Sequence, residues 1–131
     1  MAKKQAVSTE VVSGEAVSPE IELLQRVYAA FNMRDIETVL AEMHSDVDWP
    51  NGMEGGRVLG KDAVREYWRR QFEMLDPRVE PQHFTTEADG RIAVDVHQVV
   101  HDKSGTLLVD QMIRHIYEIR NGRIQSMEIR S

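Results

Sequence analysis

Hydrophobic positions recur along this chain in two periods, first every three to four residues and later every second residue. Ile21, Leu24, Tyr28 and Phe31 share one helical face, which predicts a first helix running from Ser18-Pro19 to about Asn32. Ser18 suits the N-cap, Pro19 the first turn, and Glu20 and Glu22 the positive helix end. Asp35 is read as the cap of a second, short helix in which Ile36, Val39, Leu40 and Met43 face one way. Val47 and Trp49 then alternate with Asp46 and Asp48 in a short strand that Pro50-Asn51-Gly52 ends. The following loop carries Gly52, Gly55, Gly56 and Gly60 without the spacing that cradles phosphate. A third helix is predicted from Lys61 to Leu75, with Val64, Tyr67, Trp68, Phe72 and Leu75 inward, and Asp76-Pro77 stops it.

The second half switches to the period of a strand. Four strands follow one another, joined by Asp89-Gly90, by Asp102 to Gly105 and by Asn121-Gly122, each with hairpin turn chemistry. Helices followed by an antiparallel meander predict an α+β fold, with the helices covering one face of a curved sheet. From Leu107 the alternate residues Val109, Gln111, Ile113, His115, Tyr117 and Ile119 form the apolar, inward set. With a loop from Asp102 to Gly105, His101 lies opposite Thr106, Gln98 opposite Val109, Val96 opposite Gln111 and Ile92 opposite His115. The inward face then holds Gln98, Gln111 and His115 among Val, Ile and Leu. Buried polar groups need partners, so these three predict either a hydrogen-bonded network or a wet, ligand-accepting cavity. The last strand has two settings. A two-residue turn at Asn121-Gly122 sends Ile124, Ser126 and Glu128 inward. A three-residue loop with a bulge sends Gln125, Met127 and Ile129 inward, and is favoured because it buries the apolar pair.

The other face of the sheet has its own constellation. The same pairing puts His97 opposite Asp110 and Arg114 diagonal to Asp95, with Leu108, Met112, Val99 and Ile116 around them. Charges paired among long apolar residues read as an interface more than as a catalytic cluster, so Asp95, His97, Asp110, Met112 and Arg114 are expected at or near a homodimer face. No metal site is expected. His97 and His101 stand four apart on an extended strand, roughly 13 Å between backbones, and His83 does not join them. His44, near a helix end, is read as a surface or capping side chain.

Composition narrows the function classes. The 131 residues suit one domain, and 16 Lys and Arg against 22 Asp and Glu leave a net charge of −6. An acidic chain with no dense basic run is a poor partner for nucleic acid or an anionic membrane. The absence of cysteine excludes disulfides, zinc–thiolate sites and thiol nucleophiles. No apolar run is long enough to span a bilayer, and the opening residues lack the apolar core of a secretory signal, so a cytoplasmic location is the default expectation. Residues 1–17 have no helical period and are expected to form a disordered tail before a domain at 18–131. No cofactor is expected.

The order of these elements resembles the nuclear transport factor 2-like superfamily, which includes ketosteroid isomerases and SnoaL-like polyketide cyclases. The resemblance covers Pro19 to Arg130 and rests on LLQRVYAAFNMRD, the DVDWPN strand, the LGKDAVREYW helix start and the HIYEIRNGRIQSMEI end. It implies a cone, a curved sheet wrapped around helices with a pocket at the open end, and pairing through the outer sheet face. The isomerase site does not carry over. Its first-helix tyrosine falls on Val27, with Tyr28 one position away on a different face. Its proton-shuttling aspartate falls on Asn51, and its protonated carboxylic acid falls on His115. That chemistry needs a carboxylate base and two acidic donors, so steroid isomerisation by that route is not expected. The pocket wall does carry over, with Tyr67 and Trp68 in the third helix and Trp49 in the strand leading to Asn51. The epoxide hydrolases of the superfamily use an Asp-Arg-Asp set inside the pocket, whereas the carboxylates here fall on outward positions.

His115 is the main candidate for a functional group, because an imidazole can donate from one nitrogen and accept at the other. Asn51 is a second catalytic candidate. Trp49, Tyr67, Trp68, Gln98, Gln111, Tyr117 and Met127 are candidates for ligand contact. The competing reading makes His115 a core residue satisfied by Gln98, a tyrosine hydroxyl or a water. Two functions therefore stand side by side: a small isomerase, cyclase or hydrolase acting on a hydrophobic small molecule, and a non-catalytic ligand-binding or protein-interaction dimer module. One scaffold hosts both kinds.

Overall fold

A computed structural model describes residues 18–130, so the expected tail at 1–17 lies outside the described residues. Three helices and six strands follow in the order α1 (Pro19–Asn32), α2 (Ile36–Ala41), β1 (Met43–Pro50), β2 (Arg57–Leu59), α3 (Lys61–Met74), β3 (Leu75–Thr86), β4 (Ile92–Asp102), β5 (Leu107–Arg120) and β6 (Arg123–Arg130). Local chemistry sets the helix boundaries. The Ser18 hydroxyl accepts from the Ile21 N–H at 3.2 Å, and an Asp35 carboxylate oxygen accepts from the Thr38 N–H at 3.3 Å. Arg34 takes a left-handed φ of 66° between the two helices, which lets the chain reverse there. α3 ends without a loop, because Leu75 is already extended and opens β3.

The sheet order is β2-β1-β6-β5-β4-β3. The meander β3 to β6 is antiparallel, as its turns predict, but the whole sheet is mixed because β1 joins β6 in parallel. β2, within the glycine-rich segment read as a loop, pairs with β1 and forms one edge. β3 forms the other edge and carries Pro77 and Pro81, which have no N–H to offer a further strand and so suit an edge. Helices pack on the inner face over a core that includes Leu24, Val39, Leu40, Met43, Val47, Val64, Val94, Val96 and Ile124.

Two bulges correct the sequence-based register. His101 pairs with Leu107 and Val100 with Val109, so Leu108 stands unopposed in β5. Every pair further along moves by two residues: Gln98 faces Gln111, Val94 faces His115 and Ile92 faces Tyr117. A shift of two preserves facing, which is why His115 still points inward. The loop causes it. The Asp102 carboxylate accepts from the N–H groups of Ser104 and Thr106, both at 2.9 Å, and so closes a longer turn through Thr106. In β6, Arg120 pairs with Arg123 around a two-residue Asn121-Gly122 turn with positive φ at both residues, the chemistry of a type I′ hairpin. Gln125 is then the extra residue between the Ile119–Ile124 and Glu118–Ser126 pairs. Neither predicted setting holds by itself, since the bulge turns both Ile124 and Met127 inward.

Candidate functional site

The concave side of the sheet, α1 and α3 enclose a cavity of about 450 Å³, within the usual range for small-molecule sites. His115, Trp49, Tyr67, Trp68, Gln98, Gln111, Tyr117 and Met127 all line it. Trp49 meets Trp68 edge to face with ring centroids 5.4 Å apart, and Phe31 meets Trp68 at 5.5 Å, so packed aromatic rings form part of an otherwise aliphatic wall. Leu108, whose parity assigns it to the outer face, also lines the cavity as a consequence of the β5 bulge.

At the buried end a chain of three side chains forms. The Tyr117 hydroxyl donates to the Tyr28 oxygen at 2.9 Å, and the Tyr28 hydroxyl lies 2.7 Å from Nδ1 of His115. Since Tyr28 already accepts from Tyr117, its own proton is directed to Nδ1, which makes Nδ1 the acceptor and leaves the proton of a neutral imidazole on Nε2. Nε2 has no hydrogen-bond partner among the described residues. Burial lowers the pKa of His115 from 6.5 to about 4, so the ring is neutral at pH 7. Burial likewise raises the pKa values of Tyr28 and Tyr117, and both stay protonated. The result is a buried, uncharged hydrogen-bond chain ending on a single N–H.

Tyr28 is the residue that sequence reasoning misplaced. Assigned to a face away from the site, it is buried inside the cavity and is the direct partner of His115. The available signal was its membership of the Ile21, Leu24, Tyr28, Phe31 stripe, since a tyrosine on an inward stripe needs a partner for its hydroxyl. Gln98 and Gln111 do not join His115 in one network. They bond to each other across β4 and β5, with the Gln111 amide donating to the Gln98 oxygen at 2.7 Å. Tyr67 points its hydroxyl at the β1–β2 loop and accepts from the Gly52 N–H at 3.0 Å.

Asn51 does not line the cavity. Its side-chain oxygen accepts from the N–H groups of Met53 at 3.1 Å and Glu54 at 2.9 Å, while its amide donates to Glu54 at 3.3 Å. Asn51 therefore organises the loop whose neighbours Pro50, Gly52 and Met53 form cavity wall. On the outer face the geometry also departs from expectation. His97 pairs with Met112 and reaches Asp110 diagonally at 2.7 Å, whereas Arg114 lies directly opposite Asp95 and bonds it at 2.8 Å. Met112 is exposed there, but Ile116 is already buried within the monomer. His44 bonds the Arg120 carbonyl oxygen at 2.7 Å. Among the described residues no helix is long and apolar enough to cross a membrane, and no group of three or more His, Asp and Glu is arranged to hold a metal ion.

A mixed, curved sheet folded over three helices with a cavity between them defines an NTF2-like protein. Residues 24–127 match the SnoaL-like domain, and the chain belongs to that family. Crystal structures agree. An NTF2-like protein of unknown function from Burkholderia pseudomallei superposes with a TM-score of 0.76 at 28% identity, covering 86% of this chain and 90% of that one. TerC, co-crystallized with polyporic acid, superposes with a TM-score of 0.75 at 34% identity over 86% of this chain and 90% of that one. The epoxide hydrolase/cyclase-like enzyme SalBIII, with a role in pyran ring formation in the polyether salinomycin, shares the fold at 19% identity, with a TM-score of 0.72 and coverage of 84% and 88%. No curated protein sequence matches.

Proposed function

We propose that this protein binds a small hydrophobic carbonyl compound in its cavity and that His115 is the polar group that meets the carbonyl. The observation that carries this reading is the Tyr117–Tyr28–His115 chain, which spends Nδ1 on Tyr28 and leaves the Nε2 proton for a ligand oxygen. TerC, the relative co-crystallized with polyporic acid, supports a small-molecule ligand. Isomerisation, cyclisation and hydrolysis are the candidate reactions, and the hydrogen bonding of His115 ranks them. With Nδ1 accepting from Tyr28 and Nε2 carrying the proton, neither ring nitrogen is free to take a carbon-bound proton from a ligand. A neutral N–H held in place is instead suited to stabilising charge that develops on a carbonyl oxygen. Cyclisation asks least of the protein, because the substrate supplies its own nucleophile and only its carbonyl needs a donor. A second, non-catalytic ligand-binding reading is favoured by one observation: among the described residues no carboxylate lines the cavity to act as a base.

Binding of 2-acetylnaphthalene, followed by the indole N–H signals of Trp49 and Trp68, tests the site. His115→Phe should weaken the ketone by roughly tenfold, the size of one neutral hydrogen bond, and leave naphthalene itself unchanged. Equal ketone affinity in both proteins would remove His115 from the site. The proposal extends to assembly. The outer face around Asp95, His97, Asp110, Met112 and Arg114 is read as a homodimer contact, supported by exposed Met112 beside two ion pairs. Exclusion from nucleic acid and membrane, and a cytoplasmic location, belong to the same reading.

A further inference from the structure

The loop between β1 and β2 walls the cavity on one side and meets solvent on the other. Pro50, Gly52 and Met53 line the cavity, while Glu54, Gly55 and Gly56 are exposed. Within itself the loop is well bonded. The Asn51 carbonyl accepts from the Gly55 N–H at 2.8 Å, and the Asn51 side-chain oxygen accepts from the Glu54 N–H at 2.9 Å. Its base is fixed as well. Arg57 donates through Nε to the Asp48 carboxylate and through Nη2 to the Met127 carbonyl, both at 2.7 Å, which fastens the start of β2 to β1 and β6. Among the described residues, the loop's polar ties to the body of the protein converge on one atom. The Tyr67 hydroxyl on α3 accepts from the Gly52 N–H at 3.0 Å, and the Met53 backbone acts on the same oxygen. Gly55 and Gly56 take φ values of 85° and 82° with open space where a Cβ would stand, so backbone freedom is what glycine supplies there.

We infer that residues 51–55 form a lid that opens as one piece by releasing the Tyr67 hydroxyl, and that this opening sets how fast the cavity fills and empties. Bonds inside the loop and freedom at its glycine end let it move without melting, because Glu54 and Gly55 keep their bonds to Asn51 in the open form. Opening gives up a hydrogen bond between neutral groups and uncovers Met53, which is small enough a loss for the open form to be sampled in the free protein. The gating rests on the reading of the cavity as a ligand site; the opening itself does not.

Amide hydrogen exchange on the ligand-free chain tests the opening. Corrected for intrinsic rates, Gly52 should exchange at least roughly tenfold faster than Glu54 and Gly55. Tyr67→Phe should speed Gly52 by roughly tenfold more, the size of one neutral hydrogen bond, and leave Glu54 and Gly55 within about twofold. Stopped-flow mixing with 2-acetylnaphthalene, followed by the fluorescence of Trp49 and Trp68, tests the gating. Association and dissociation should both quicken in Tyr67→Phe, each by roughly tenfold, because the same opening precedes both steps. Faster dissociation with unchanged association would make Tyr67 a wall contact and overturn the gating. Equal protection at Gly52, Glu54 and Gly55 would overturn the lid, since the loop would then melt or stay shut as a whole. A ketone that fails to bind would overturn the site reading and the gating with it, while the exchange pattern still decides the opening.

Discussion

Replacing His115 with Asn should flatten the acid limb of the stability curve. In the folded chain burial holds the imidazole pKa near 4, against 6.5 for the unperturbed group. The unfolded chain therefore takes up a proton between about pH 6.5 and pH 4 that the folded chain refuses. The stabilisation is complete above pH 6.5 and declines as the pH falls through that window. At about 1.4 kcal/mol per pKa unit, the full difference is about 3 kcal/mol, of which about 2 kcal/mol is lost by pH 4.5. Urea unfolding of both proteins at pH 7.0, 5.5 and 4.5 measures it. Lowered carboxylate pKa values at Glu37, Asp89 and Asp102 also cost stability in acid, but both proteins share them and they cancel in the difference. The variant should be less stable at pH 7, because the smaller side chain leaves part of the buried ring's space unfilled, yet lose less on acidification. Parallel curves for the two proteins would refute the reasoning, since they would place a hydrated or charged histidine in the folded state.

The other expectations concern the partners of His115, the loop and the outer face. Tyr28→Phe strands Nδ1 and should cost about 1–3 kcal/mol in chemical denaturation, whereas Tyr117→Phe leaves Tyr28 able to donate and should cost about 1 kcal/mol or less. The reverse order would break the proposed direction of the hydrogen-bond chain. Asn51→Ala should cost about 1 kcal/mol through the loop and leave ketone affinity within about twofold; a large loss of affinity at full stability would return Asn51 to the site. Met112→Glu should convert a dimer to monomer in sedimentation velocity, and an unchanged sedimentation coefficient at the dimer value would dismiss the outer-face contact.

Much of the fold was legible because two strong periods run through the chain. The stripe of Ile21, Leu24, Tyr28 and Phe31 and the alternation from Leu107 to Ile119 are local signals, and each matches an observed element. The parts that were not legible depend on distant contacts. β2 has only three residues and exists through pairing with β1, and β1 lies beside β6 because segments far apart in sequence meet there. The register error came from side-chain chemistry, since Asp102 holds a turn that its bare length does not reveal. Facing survived the error because the bulge and the longer loop together moved the pairing by an even number of residues.

The candidate site was partly legible for similar reasons. Strand parity aimed His115, Gln98, Gln111 and Tyr117 inward, and the structure places them on the cavity. Position-by-position transfer from the isomerases failed at Tyr28, where one step along a helix turns a side chain by about 100°. It also pointed at Asn51, although Asn51-Gly52-Met53-Glu54 already carries the composition of a side-chain-capped turn. An amide already committed to its own backbone has little left to offer a substrate.

The central claim is that His115 presents a neutral Nε2–H to a ligand carbonyl, and nitrogen-15 spectroscopy of its imidazole tests this most directly. At pH 7 the spectra should show a protonated Nε2 and an unprotonated Nδ1, with the Nε2 resonance moving on addition of 2-acetylnaphthalene. A proton on Nδ1, or an Nε2 signal indifferent to saturating ketone, would contradict the account.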